Sequence, residues 1–203
     1  MTTRYLALGD SYTIGEAVSE AGRFPVQLAD QLRSRGFAHL ADPEIVATTG
    51  WTTDELSAGI DAAQPTDAFD LVTLLIGVNN QYRGRPLDEY RQQFRQLLQR
   101  ALGFAAGERE RVIVISIPDW GVTPFAAGRD RDAIGREIDA FSGVNKDEAR
   151  REGVRYVDIT PISRRAAEEP DLVAEDGLHP SAEMYRLWVE LLLPEAVAAL
   201  SGS

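Results

Sequence analysis

The chain has 203 residues, of which 44% are hydrophobic and 26% charged; this is enough for one sizeable buried core and too little for two full domains, so a single domain over 1–203 is expected. A formal net charge of −11 argues against nucleic acid as a partner, because phosphate contacts need a clustered positive surface. The sequence has no cysteine, which excludes disulfides, thiolate metal sites and a cysteine nucleophile. No apolar run approaches the ~18 residues of a membrane-spanning helix. The first strand begins within a few residues of the N-terminus, leaving no room for a leader, so a cytoplasmic location is expected. A secreted form with its leader removed would present the same sequence.

In chain order, Tyr5 to Leu8 reads as a short apolar strand that delivers Gly9-Asp10-Ser11 at its end. Pro25 to Arg35 is a less regular helical stretch, and Glu44 to Ala47 is a second strand. Thr52 and Glu55 have the spacing of a capping box, which starts a helix just after Gly50. The third strand, Leu71 to Ile76, runs into Gly77-Val78-Asn79-Asn80. Leu87, Tyr90, Phe94, Leu97, Leu98, Ala101, Leu102 and Ala105 then repeat at helical spacing, with arginines and glutamines opposite. Val112 to Ile117 is the fourth strand. The 118–132 stretch, with Pro118, Gly121, Pro124 and Gly128, is a long loop suited to a lid or pocket wall. A helical stretch over Ala133 to Arg151 leads to a fifth strand over Val154 to Val157. The last helix opens at Pro180 and Ser181 and carries Met184, Leu187, Trp188, Leu191 and Leu192 on one stripe. The alternation predicts an α/β fold, a parallel sheet covered by helices on both faces with right-handed crossovers.

In such sheets the ligand crevice lies outside the carboxyl ends of the strands. Gly9-Asp10-Ser11 follows the first strand, Thr49-Gly50-Trp51 the second, and Gly77 to Asn80 the third; Asp176-Gly177-Leu178-His179-Pro180 follows the fifth strand and a loop. A serine hydroxyl is a weak nucleophile that needs a neutral base within hydrogen-bond reach, and an acid to orient that base. His179 and Asp176 supply these for Ser11; the other histidine, His39, sits in a polar loop and reads as solvated surface. Donors for a developing oxyanion are available from the Ser11 N–H, the Gly50 N–H and the Asn79 amide. Taken alone, Gly50 is a turn glycine and Asn79 a turn former.

The four blocks together closely resemble, in order and approximate spacing, the GDSL-type SGNH hydrolases, over Tyr5 to His179. The resemblance implies a flavodoxin-like three-layer α/β/α sandwich with a five-stranded parallel sheet. It implies Ser11 as nucleophile, Asp176 and His179 as the rest of a triad, and Gly50 and Asn79 with Ser11 as the oxyanion hole. It also implies a small-molecule ester as substrate, with no metal and no cofactor. Two positions depart from the family pattern: Tyr12 stands where leucine is usual, a common variation expected to leave the chemistry alone, and Asn80 stands where the third block usually has aspartate, which is expected to alter loop geometry and leave the mechanism alone. The nucleophile-elbow pattern Gly-x-Ser-x-Gly is absent, which argues against the ordinary α/β-hydrolase fold.

Trp51 and Trp120 follow the loops nearest the oxyanion donors and are candidate walls of the acyl or alcohol pocket, and Arg83 and Arg85 are candidate contacts for an anionic substrate. The leading expectation is cleavage of carboxylic esters through a covalent acyl-enzyme. Sugar O-deacetylation and lysophospholipid or thioester hydrolysis use the same machinery and stay open, as does oligomeric state. Among other classes, a receiver domain would need a lysine after the fifth strand, and the single lysine, Lys146, precedes it. A flavin module would need a phosphate cradle that the first loop lacks. A metallohydrolase is poorly served by two distant histidines.

Overall fold

The computed structural model describes residues 2–66 and 68–202. Its elements in order are β1 (Tyr5–Gly9), α1 (Ser11–Ile14), α2 (Phe24–Ser34), β2 (Glu44–Ala47), α3 (Thr53–Ala63), β3 (Leu71–Leu75), α4 (Val78–Tyr82), α5 (Leu87–Phe104), β4 (Val112–Ile115), α6 (Arg131–Glu152), β5 (Arg155–Val157), α7 (Thr160–Ser163) and α8 (Ala182–Ser201). The five expected strands are all present, within one or two residues of their expected bounds. They form one parallel sheet in the order β2-β1-β3-β4-β5.

Strands β1, β3 and β4 are buried along their whole length, as expected for parallel strands covered on both faces, and this is why they read as continuous apolar runs. The order also fixes the layers. The chain steps one way from β1 to β2 and the other way from β2 through β3, β4 and β5. Right-handed crossovers in opposite directions put the connecting helices on opposite faces. Accordingly α2 pairs with α8, where Phe24 meets Tyr185 and Trp188 at ring-centroid distances of 6.2 and 6.4 Å. On the other face α5 meets α6, with Tyr90 and Phe141 at 4.6 Å. The reversal lies at β1, between β2 and β3, and the crevice of an open α/β sheet forms at such a switch point.

The last helix runs past the stripe expected from the sequence, through Pro194 to Ser201. Its buried face, including Trp188, Leu192, Leu193 and Ala196, outweighs the missing proline N–H. The one-turn helices α1, α4 and α7 were not legible in the sequence because four or five residues are too few to display a 3.6-residue period.

The capping box before α3 is formed. The Glu55 carboxylate accepts the Thr52 N–H at 2.8 Å and the Thr52 hydroxyl at 3.0 Å. Those hydrogen bonds, chiefly the N–H, hold the Glu55 carboxyl below the ordinary carboxylate range against its slight burial. Replacing Thr52 with Ala is expected to cost about 1 kcal/mol of stability, measured by urea denaturation; an unchanged midpoint would mean the box contributes nothing.

Candidate active site

Ser11 sits where β1 ends and the chain turns at once into α1. This turn requires Gly9, because a Cβ there would lie 2.1 Å from Thr13 Oγ1 and 2.4 Å from the Leu75 carbonyl. Asp10 then caps the new turn, its Oδ1 accepting the Tyr12 N–H at 3.0 Å. Ser11 becomes the first residue of α1, only 4% exposed. Its N–H has no acceptor among the described residues; at the first position of a helix the N–H has no intrahelical partner.

The neighbouring strands supply the other two donors. After β2, Gly50 adopts φ +86°, a left-handed conformation that glycine takes without strain. A Cβ there would meet only Arg83 Nη2 at 3.7 Å, so the torsion rather than crowding selects glycine. Its N–H also has no acceptor among the described residues. After β3, Asn79 lies in α4 and donates through Nδ2 to the Trp51 carbonyl at 3.0 Å and to Asp10 Oδ2 at 3.4 Å. Both partners are acceptors, so the amide nitrogen, not the oxygen, faces the Ser11 turn. The departure at Asn80 has a structural reading: its Oδ1 accepts the Thr53 N–H at 3.1 Å and its Nδ2 donates to Thr53 Oγ1 at 2.7 Å. Asn80 thus ties the β3 loop to the start of α3, and an aspartate could not make the second of these bonds as donor.

Asp176 and His179 come from the other end of the chain. Residues 173–180 close a tight turn through an antiparallel bridge between Val173 and Pro180 and a 2.7 Å bond from the Ala174 N–H to the His179 carbonyl. Within it Asp176 Oδ2 lies 2.6 Å from His179 Nδ1, while Oδ1 accepts the N–H groups of Leu178 and His179 at 2.9 Å each. Burial raises the Asp176 carboxyl, but the His179 ring and the two N–H donors outweigh it and hold the carboxyl below its ordinary range. Asp176 therefore stays an ionised acceptor that fixes the ring with Nε2 facing away.

Ser11, Asn79 and His179 share one cleft of about 430 Å³, open mouth included, whose other walls are Tyr12, Val78, Tyr82, Trp120, Phe125 and Leu178; Gly50 and Asp176 stand outside that lining. Ser11 and His179 face it with no hydrogen bond between them, an arrangement that catalytic pairs commonly tighten only with substrate bound. The 118–132 loop is a wall rather than a free flap. Trp120 is 4% exposed and donates through Nε1 to Gln81 Oε1 at 2.7 Å, and Gln81 in turn donates to Glu137 at 2.7 Å. Asp119 accepts Arg164 Nε at 2.9 Å, and the Phe125 N–H reaches the Gly177 carbonyl at 3.0 Å.

Of the two expected aromatic walls, Trp120 lines the cleft and Trp51 does not. The Trp51 indole lies over Gly59 of α3, where a Cβ would fall 2.1 Å from its Cη2; its backbone carbonyl, through Asn79, is what serves the site. Arg83 and Arg85 are engaged elsewhere, with Glu55 and the Gly50 carbonyl, and with Glu89. His39 is exposed, as expected. Gln81, Val78 and Leu178 were missed in the sequence, since apolar or amide residues in loops carry no chemical signature. No group of three or more potential metal ligands occurs among the described residues, and no helix among them is long and apolar enough to cross a membrane.

The sequence profile of the GDSL-like Lipase/Acylhydrolase family matches residues 7–187. Among solved structures, TesA superimposes with a TM-score of 0.75 at 20% identity, covering 98% of this chain and 100% of that one. The acetylxylan esterase Axe2 from Geobacillus stearothermophilus gives 0.70 at 20% identity over 96% and 94%, and a lipase/acylhydrolase from Enterococcus faecalis gives 0.72 at 19% over 96% and 95%. No curated protein sequence matches the chain.

Burial drives the Asp10 carboxyl up to about 7, against the opposing hydrogen bonds from Tyr12 and Asn79. In the unfolded chain the same group titrates near 4. A raised folded value gives stability that is complete below the unfolded value and is lost as pH rises through about 7. The stability of Asp10→Asn relative to the parent should therefore rise between about pH 4 and 7 and then level off. Urea denaturation across that range tests this, and a difference independent of pH would refute it.

Proposed function

Since the chain belongs to the GDSL-like lipase/acylhydrolase family and is a carboxylic ester hydrolase, we propose that Ser11, His179 and Asp176 cleave the ester through a covalent acyl-enzyme. The observation that carries this reading is the Asp176–His179 pair at 2.6 Å, facing Ser11 across a common cleft.

In this mechanism His179 Nε2 takes the Ser11 proton as Oγ attacks the carbonyl carbon. The carbonyl oxygen, now negative, receives the Ser11 and Gly50 N–H groups and Asn79 Nδ2. The two N–H groups are fixed in advance by the turn at Gly9 and the left-handed Gly50; Asn79 Nδ2 keeps its bond to the Trp51 carbonyl and turns its second hydrogen from the long 3.4 Å contact with Asp10 Oδ2 to the oxyanion. Collapse breaks the bond to the alcohol oxygen, and His179 returns its proton to that oxygen. Water, deprotonated by His179, then attacks the acyl carbon, and the carboxylate leaves with Ser11 regenerated. Asp176 remains ionised throughout, holding the Nδ1–H and stabilising the imidazolium.

The apolar walls at Val78, Trp120 and Leu178 favour an ester with an apolar portion in the cleft. Removal of acetyl groups from carbohydrate is the second reading, favoured by the half-exposed aromatic pair Tyr82 and Phe125 beside the cleft, with the Arg129 guanidinium over both rings as a further polar contact for a sugar. Axe2, similar in fold, is an acetylxylan esterase.

With a short-chain aryl ester, Ser11→Ala should lose at least about 10³-fold in kcat while keeping its circular dichroism spectrum. Asn79→Ala should lose about 10²- to 10³-fold, mainly in kcat. Undiminished turnover by folded Ser11→Ala would refute the assignment.

A further inference from the structure

Tyr12 borders two adjoining spaces. It lines the catalytic cleft, and it also lines a second, smaller space of about 260 Å³, open mouth included. Tyr12, Trp120, Leu178 and His179 are walls common to both. The Tyr12 ring packs against the His179 ring, centroids 5.2 Å apart and planes tilted by 54°.

The residue is only 3% exposed, yet its hydroxyl has no hydrogen-bond partner among the described residues. Unlike Tyr185 Oη and Thr13 Oγ1, it is not sealed off from the adjoining space. A hydroxyl that opens onto the adjoining space is satisfied there by water, and an acceptor brought by a ligand takes that water's place. Burial first, and then the negative charges of Asp10, Asp176 and Asp119, keep the phenol protonated, so the group is a standing donor.

We propose that Tyr12 is a specificity-determining residue whose Oη–H donates a hydrogen bond to an acceptor oxygen on the alcohol portion of the ester, near the scissile bond. The inference rests on the triad reading above. His179 hands its proton to the departing alcohol oxygen, so the departing group lies beside the imidazole ring, and that is the ring Tyr12 packs against. The carbonyl oxygen is turned the other way, toward Gly50 and Asn79. The favoured substrates are then esters of alcohols with a neighbouring ether or hydroxyl oxygen, over esters of plain alkyl alcohols.

The test uses isosteric pairs that exchange one CH₂ for oxygen. Butyl acetate and 2-methoxyethyl acetate differ on the alcohol side; ethyl pentanoate and ethyl 3-methoxypropanoate differ on the acyl side. The parent enzyme should prefer 2-methoxyethyl acetate in kcat/KM by about three- to tenfold, the effect of one hydrogen bond between uncharged groups. Tyr12→Phe, which keeps the ring against His179, should abolish that preference and leave the acyl-side ratio where it was. No preference in the parent, an equal preference in Tyr12→Phe, or a change confined to the acyl-side pair would each overturn the inference. If the parent hydrolyses none of the four esters, the triad reading itself fails and this inference falls with it.

Discussion

Everything at the site depends on how abruptly the chain leaves β1. A strand in the middle of a parallel sheet ends surrounded by other backbone, and the Leu75 carbonyl of β3 stands so close that no side chain fits at Gly9. With that space empty, the chain enters α1 immediately and Ser11 takes a helix's first position, its N–H uncommitted. The same turn buries Asp10, whose two oxygens reach the Tyr12 N–H and the Asn79 amide. One carboxyl thus spans the Ser11 turn and the Asn79 amide that follows the next strand.

That arrangement works against stability. A carboxyl driven up to about 7 by burial is destabilising as an ion, and the surrounding bonds do not fully offset it. Thr13 Oγ1 beside it also lacks a partner. Strain and unsatisfied polarity at a working site are ordinary where surrounding structure over-determines the geometry. Here the over-determination comes from the sheet: β2, β1 and β3 are adjacent, so the Gly50, Ser11 and Asn79 loops emerge side by side. Their spacing is set by strand separation, and the Asn80 bonds to Thr53 tie the outer loops together.

His179 arrives by a different route. β5 lies at the far edge of the sheet from β1 and β2, so the Asp176 to His179 turn must come back across β4 and β3. The segment between β5 and α8 makes this return, and α8, which follows His179, anchors it by packing on α2, the helix between β1 and β2. The pairing of Phe24 with Tyr185 and Trp188 therefore helps decide where His179 stands. The 118–132 loop closes the remaining side, held by Trp120 to Gln81 and by Asp119 to Arg164.

The sequence by itself determined the elements that have a period or a cap: five apolar runs, the long stripe of α5, the Thr52 box and the alternation that demands a parallel sheet. It also marked the residues whose chemistry is local, such as the Asp176–His179 pair three positions apart within one turn. Only the tertiary structure decided what each neighbouring side chain faces. Trp51 and Trp120 looked equivalent beside their loops, yet Gly59 gives the Trp51 ring a place on α3, while Gln81 holds Trp120 at the cleft. Tyr12, in sequence a neutral departure from leucine, stands between two cavities and against the His179 ring. The reason is physical: periodicity and capping act within a few residues along the chain, whereas the space available to a side chain is set by residues tens of positions away.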